Sequence, residues 1–123
     1  MLNFSNLMIG SSEPKVLADF YKKVLDTEPE WADGDWFGFK IGAGSIAIGP
    51  HSEVQGTNKE PGRLMLNIEA DDPKAEFDRI KAAGAQVIAD PYEAGDDDNG
   101  SMTMSTFADP DGNYFQICSK REG

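Results

Sequence analysis

Moving the chain along itself by 59 positions lays residues 65–81 over residues 6–22. Leu7, Ile9, Pro14, Lys15, Asp19 and Lys22 then meet identical residues at 66, 68, 73, 74, 78 and 81, six identities in 17 positions. Glu13 meets Asp72, and in both copies a proline opens a helical pattern just after a short apolar run. Such self-similarity is the mark of a repeated supersecondary unit. With 123 residues in all, the two copies share one domain, long enough to bury about two thirds of the surface its unfolded chain exposes.

The first copy begins with a strand over 2–9 and a break at Gly10-Ser11-Ser12. Ser12 is the expected N-cap of a helix, with Glu13 and Pro14 in its first turn, and Val16, Leu17, Phe20, Tyr21, Val24 and Leu25 recur at helical spacing. A short strand is expected over 28–32, a turn at Asp33-Gly34, an alternating strand over 36–41, a second turn at 42–44 and an apolar strand over 45–49. The polar stretch 51–62 reads as the linker, dividing unit one (about 1–50) from unit two (about 63–123). In unit two the same logic predicts a strand over 64–70, a helix over 73–83 closed by Gly84, and a strand over 86–89.

A hairpin completes the second copy. Met102 to Ala108 and Tyr114 to Cys118 flank Asp109-Pro110-Asp111-Gly112-Asn113. Proline presets φ, the aspartates bond nearby N–H groups, and Gly112 takes the positive φ that closes the turn. The aspartates are therefore turn formers. On the strand that follows, Tyr114, Gln116 and Cys118 point one way, Phe115 and Ile117 the other. The acidic run Asp96-Asp97-Asp98 lacks the spacing and closing Glu of an EF-hand and reads as a solvated loop.

Eleven basic against 22 acidic residues leave a net charge of −11, which repels phosphate backbones and argues against nucleic acid as a partner. No apolar run reaches membrane-spanning length, and the start of the chain lacks the charged opening of a signal peptide. No membrane partner and a cytoplasmic location are expected. The single cysteine, Cys118, admits no intrachain disulfide and no cysteine cluster. It reads as a small buried hydrophobe.

Two βαβββ units with such a hairpin before the last strand resemble the vicinal oxygen chelate superfamily. This group includes glyoxalase I, extradiol dioxygenases, fosfomycin-resistance enzymes and bleomycin-resistance proteins. The resemblance rests on residues 19–25 (DFYKKVL), 77–84 (FDRIKAAG) and 107–113 (FADPDGN). It implies an α+β fold over residues 1–123, in which two βαβββ units form cupped mixed sheets with a pocket between the halves, and a homodimer.

The metal enzymes of the superfamily take ligands from the first and last strand of each unit. Those positions fall here on Asn6, Met65 and Gln116, with Ile48 as the fourth and Ala47 its one-residue alternative. Neutral amides and apolar side chains are poor ligands for a hard cation, so neither a metal nor any other cofactor is expected. His51, the only histidine, reads as a loop residue. Candidate ligand-binding residues are Asn6, Met8, Trp36, Ile48, Met65, Asn67, Met102, Tyr114 and Gln116. Thioethers and aromatics give an adaptable apolar surface on which a few amides set orientation.

Three functions follow. The first is a metal-free binding protein of the glyoxalase/bleomycin-resistance type, sequestering a drug or metabolite, with an aromatic or cationic small molecule as partner and antibiotic resistance as its setting. The second is a glyoxalase-like, metal-dependent lyase, isomerase or dioxygenase. The third is a metal-independent enzyme of unknown reaction. No catalytic residues are assigned.

Overall fold

The computed structural model describes residues 1–95 and 102–120. The acidic run from Asp96 lies outside the described residues. The fold is α+β. Two compact units, one of residues 1–57 and the other from Asn58 onward, each carry a four-stranded mixed sheet and one helix.

In the first unit, β1 (Leu7–Gly10) leads into α1 (Pro14–Leu25), followed by β2 (Trp31–Asp33), β3 (Trp36–Ile41) and β4 (Gly44–Gly49). The strand order is β1-β4-β3-β2. β1 runs parallel to β4, and the remaining pairs are antiparallel. Register partners share a face, so Leu7, Ile9, Ile46, Ile48, Phe37 and Phe39 lie on one side of the sheet. Ile46, Ile48 and Phe39 are buried there, and α1, which packs on β3 and β4, buries Leu17, Ala18, Tyr21 and Val24. Val16, expected in the buried stripe, is half-exposed because it lies beside that stripe rather than in it.

The start of α1 also departs from expectation. Ser12 is exposed, and the cap residue is Glu13, which makes no side-chain capping bond. Instead the buried Ser11 hydroxyl accepts from the Glu13 N–H at 3.0 Å. The serine one position earlier is the one the chain turns inward.

In the second unit, β5 (Leu66–Ala70), α2 (Pro73–Ala82), β6 (Gln86–Ala94), β7 (Met102–Ala108) and β8 (Tyr114–Ser119) form a sheet in the order β5-β8-β7-β6. The parallel β5–β8 pair repeats the β1–β4 pair. Here Asp72 does cap its helix, accepting from the Ala75 N–H. α2 buries Phe77 and Ile80. Phe77, Phe107 and Phe115 form a run of rings with centroids 5.2 and 5.4 Å apart. β6 runs five residues beyond the expected end at Ala89, because Pro91 sits on an edge strand where the register with β7 shifts. A proline is tolerated at such a bulge, where no ladder N–H is needed.

The hairpin is tied by Asp109. Its carboxylate accepts from the Asp111 and Asn113 N–H groups and the Asn113 amide, and Gly112 takes φ of +81°. The expected linker divides. Val54 N–H bonds His51 O, and both side chains lie close over Gly10. Asn58, by contrast, donates from its backbone to Asp111 O and from its side chain to Asn113.

No helix among the described residues is long and apolar enough to cross a membrane.

Candidate functional site

Each sheet has one face against its helix and one turned away, and period-two alternation fixes which residues the second face carries. In the first unit its rows are Asp33–Trp36–Gly49–Gly10, then Trp31–Gly38–Ala47–Met8, then Lys40–Ser45. Both tryptophans sit opposite a glycine. A Cβ at Gly38 would stand 2.1 Å from Trp31 Nε1, and one at Gly49 would stand 2.2 Å from Trp36 Cε3. Each indole thus fills the space its partner's missing side chain leaves. Trp31 still keeps 46% of its surface exposed, and Met8 an equal share.

In the second unit the corresponding row is Asn67–Gln116–Thr106–Ala89, with Glu69–Cys118–Met104–Tyr92 beside it. Gln116 and Thr106 are buried, and the Gln116 amide nitrogen donates to Thr106 Oγ1 at 3.0 Å. That bond holds the amide in one orientation. Burial, with the neighbouring Glu69 charge as a lesser cause, pushes the Cys118 thiol above its ordinary value. The thiol lies 3.6 Å from Ile68 O and is a weak nucleophile there.

Met8 and Trp36 lie on the first unit's outer face, and Met65, Asn67, Met102, Tyr114 and Gln116 share the parity of the second unit's outer face. Asn6 is exposed just before β1, its amide donating to Ser5 Oγ. Ile48 does not belong with them. It pairs with Ile9 and Phe37 on the helix-facing side and is fully buried. Gln116 pairs with Asn67, whose repeat-mate Met8 pairs with Ala47, so the fourth position is Ala47.

Trp31 and Thr106 escaped the sequence reading. A turn centred at Asp33-Gly34 would pair Trp31 with Trp36. The turn at 34–35 pairs Trp31 with Gly38, and that register explains the glycine at 38.

Of the positions that the resemblance assigns to metal ligands, the first unit therefore supplies an amide at Asn6 and nothing at Ala47, and the second a thioether at Met65 and an amide at Gln116. Neither charge nor imidazole is among them, so these residues do not fit a divalent ion. Among the described residues no group of three or more His, Cys, Asp or Glu side chains is placed to hold one.

The family model of the glyoxalase-like domain matches residues 6–118. Solved structures share the fold. A glyoxalase/bleomycin resistance protein from Albidiferax ferrireducens T118 is 21% identical with TM-score 0.73, the alignment covering 95% of this chain and 98% of that one. A glyoxalase/bleomycin resistance protein/dioxygenase family enzyme from Burkholderia phytofirmans PsJN is 24% identical with TM-score 0.72, covering 94% and 96%. A glyoxalase-related enzyme from Fulvimarina pelagi is 17% identical with TM-score 0.76, covering 98% and 89%. No curated protein matches the sequence.

Proposed function

The chain belongs to the glyoxalase-like domain family, and from that premise we propose that it is a small-molecule-binding protein of the glyoxalase/bleomycin-resistance type, taking up a metabolite or drug without a metal ion. The observation that carries this reading is the donor set. At the positions where the family's enzymes bind metal, Asn6 and Ala47 in the first unit offer an amide and a methyl, and Met65 and Gln116 in the second a thioether and an amide, too little in either to offset the desolvation of a divalent cation. The same side chains suit capture. Met8 and Met65 are part-exposed and adaptable, and the Gln116 amide, held by Thr106, presents its carbonyl oxygen in a set direction. A cytoplasmic homodimer completes the proposal.

The test combines elemental analysis with thermal shifts against a panel of aromatic and cationic antibiotics and metabolites. The expected result is no stoichiometric metal, a dimer by light scattering at micromolar concentration, and at least one compound that raises the midpoint saturably. A compound present at 100 times its Kd adds about 2.7 kcal/mol. Met65, 41% exposed, should tolerate Met65→Arg without unfolding. Binding should nevertheless fall by orders of magnitude, because an unpaired charge in an occupied apolar site costs several kcal/mol. About one zinc, nickel, iron or manganese per chain would overturn the reading and restore a metal-dependent lyase, isomerase or dioxygenase.

A further inference from the structure

An aspartate followed by glycine is able to rearrange its own backbone. The glycine nitrogen attacks the aspartyl Cγ, water leaves, and a five-membered succinimide closes. Hydrolysis at the main-chain carbonyl then returns the water and leaves the chain running through Cγ as isoaspartate. No cofactor or second substrate is consumed. Glycine favours the closure because it sets no Cβ against the ring and lets the backbone reach the angles required. The chain holds Asp-Gly at 33–34 and at 111–112, and Asn-Gly at 99–100, outside the described residues.

The two described sites are the same dipeptide in opposite settings. At the second, every atom the reaction must move is tied. The Gly112 N–H, whose nitrogen would attack, donates to Asp109 O at 2.9 Å. The Asp111 N–H donates to the Asp109 carboxylate at 2.9 Å, Asp111 O accepts from the Asn58 N–H at 2.8 Å, and one Asp111 carboxylate oxygen is buried. Closure there requires the hairpin to break.

The first site has none of these ties. Asp33, Gly34 and Asp35 are exposed, and Gly34, at φ +60°, has open space around its α-carbon. Among the described residues the Gly34 N–H finds no acceptor, and the Asp33 carboxylate has neither a hydrogen bond nor an ion pair. Asp33 ends β2, an edge strand of three exposed residues held to the sheet on one side only. Loop tips of this kind open at little cost.

We propose that Asp33-Gly34 is a site of spontaneous isoaspartate formation, and that the modified chain loses the β2–β3 register that seats Trp31 on Gly38. Isoaspartate adds one methylene to the main chain at the mouth of a two-residue turn. Such a turn fixes the pairing of its strands and has no slack to absorb it. The pairs Asp33 with Trp36, Ala32 with Phe37 and Trp31 with Gly38 all lie directly behind the turn. Isomerisation thus acts as a slow, one-way clock on the edge of the first sheet, and the product is a methyl acceptor for an isoaspartyl-repair methyltransferase.

The experiment ages the full chain at 37 °C and neutral pH, and locates isoaspartate by peptide mapping with electron-transfer fragmentation. Isoaspartate at 33 should accumulate at least about tenfold faster than at 111, the factor expected from the hydrogen bonds that closure at 111 must break. Asp109→Ala should raise the rate at 111 without moving the rate at 33. Should that variant unfold, the ratio in the unaltered chain decides. Both tryptophans belong to the first sheet, so their emission should shift to the red in step with isoaspartate at 33. Asp33→Glu, which would need a six-membered ring, should hold its emission constant over the same period.

Equal rates at 33 and 111 in the unaltered chain overturn the proposal. So does a chain without isoaspartate at 33 after the time in which a synthetic peptide of residues 30–37 has converted, since the turn then protects its own aspartate. Isoaspartate at 33 with unchanged emission overturns the claim on the Trp31 seat.

Discussion

The two units share a frame and differ in what they hang on it. Both open with a strand, a proline-started helix and a parallel pairing of first strand with last. On the helix-facing side the first unit packs mainly aliphatic side chains around Phe39, while the second stacks Phe77, Phe107 and Phe115. On the opposite side the first unit carries indoles over glycines, and the second a buried amide–hydroxyl pair flanked by thioethers. Backbone hydrogen bonding and helix entry constrain the repeat. The outer faces are less constrained, and there the copies have diverged, one aromatic and one hydrogen-bonding.

The largest test of this contrast is in the cores. Phe107→Ala removes the central ring of the second unit's run and should cost about 3–5 kcal/mol, whereas Ile48→Val in the first unit should cost about 0.5–1.5 kcal/mol, both read by urea denaturation. Comparable losses would show the aromatic run to be no more tightly packed than its aliphatic counterpart. Next comes the turn before each last strand. Gly42-Ala43 carries no bonding side chain, whereas Asp109 accepts from two N–H groups and an amide. Asp109→Ala leaves part-buried donors without their partner and should cost about 2–3 kcal/mol.

The helix starts give a smaller effect. Asp72→Ala should cost about 1 kcal/mol and Glu13→Ala close to nothing, because only Asp72 bonds its helix. Equal costs would mean that Glu13 acts at the start of α1 through its charge. The smallest effect lies at the helix ends. α1 ends on Asp26 at φ +52° and α2 leads into Gly84 at φ +103°. Asp26→Gly should stabilise by about 0.5 kcal/mol, the relief of left-handed strain exceeding the added freedom of the unfolded chain. A lower thermal midpoint would show that the Asp26 side chain makes a contribution that outweighs the strain.

Most of the fold was legible because its signals are local. Pro14 and Pro73 mark the helix starts, Gly84 an end, and Asp109 to Asn113 the last hairpin. The misjudged features depend on register. Serines 11 and 12 are equally good caps by type, and only the turn of the chain decides which is inward. Ile48 and Ala47 differ by one residue, and a one-residue slip changes the face of a strand. Trp31 was missed for the same reason, since its partner follows from a turn placed one residue later. Met65, Asn67 and Gln116 could be grouped because the repeat and the hairpin both fix their parity. What lies on them could not be read, because an outer face is free of the packing demands that make a core predictable.

The pairing of first strand with last has a consequence for the time order of synthesis. β4 hydrogen-bonds to β1, and β8 to β5, so each sheet is completed by strands of its own half. Among the described residues neither half borrows a strand from the other. The ribosome therefore synthesises all the main-chain partners of the first sheet before it makes any strand of the second. We expect a nascent chain arrested with residues 1–57 outside the exit tunnel to hold β1–β4 protected against amide exchange, so that the first half is sheltered from proteases while the second is still being translated. Arrested chains showing no protection until the second half has emerged would mean that pairing waits for the whole domain.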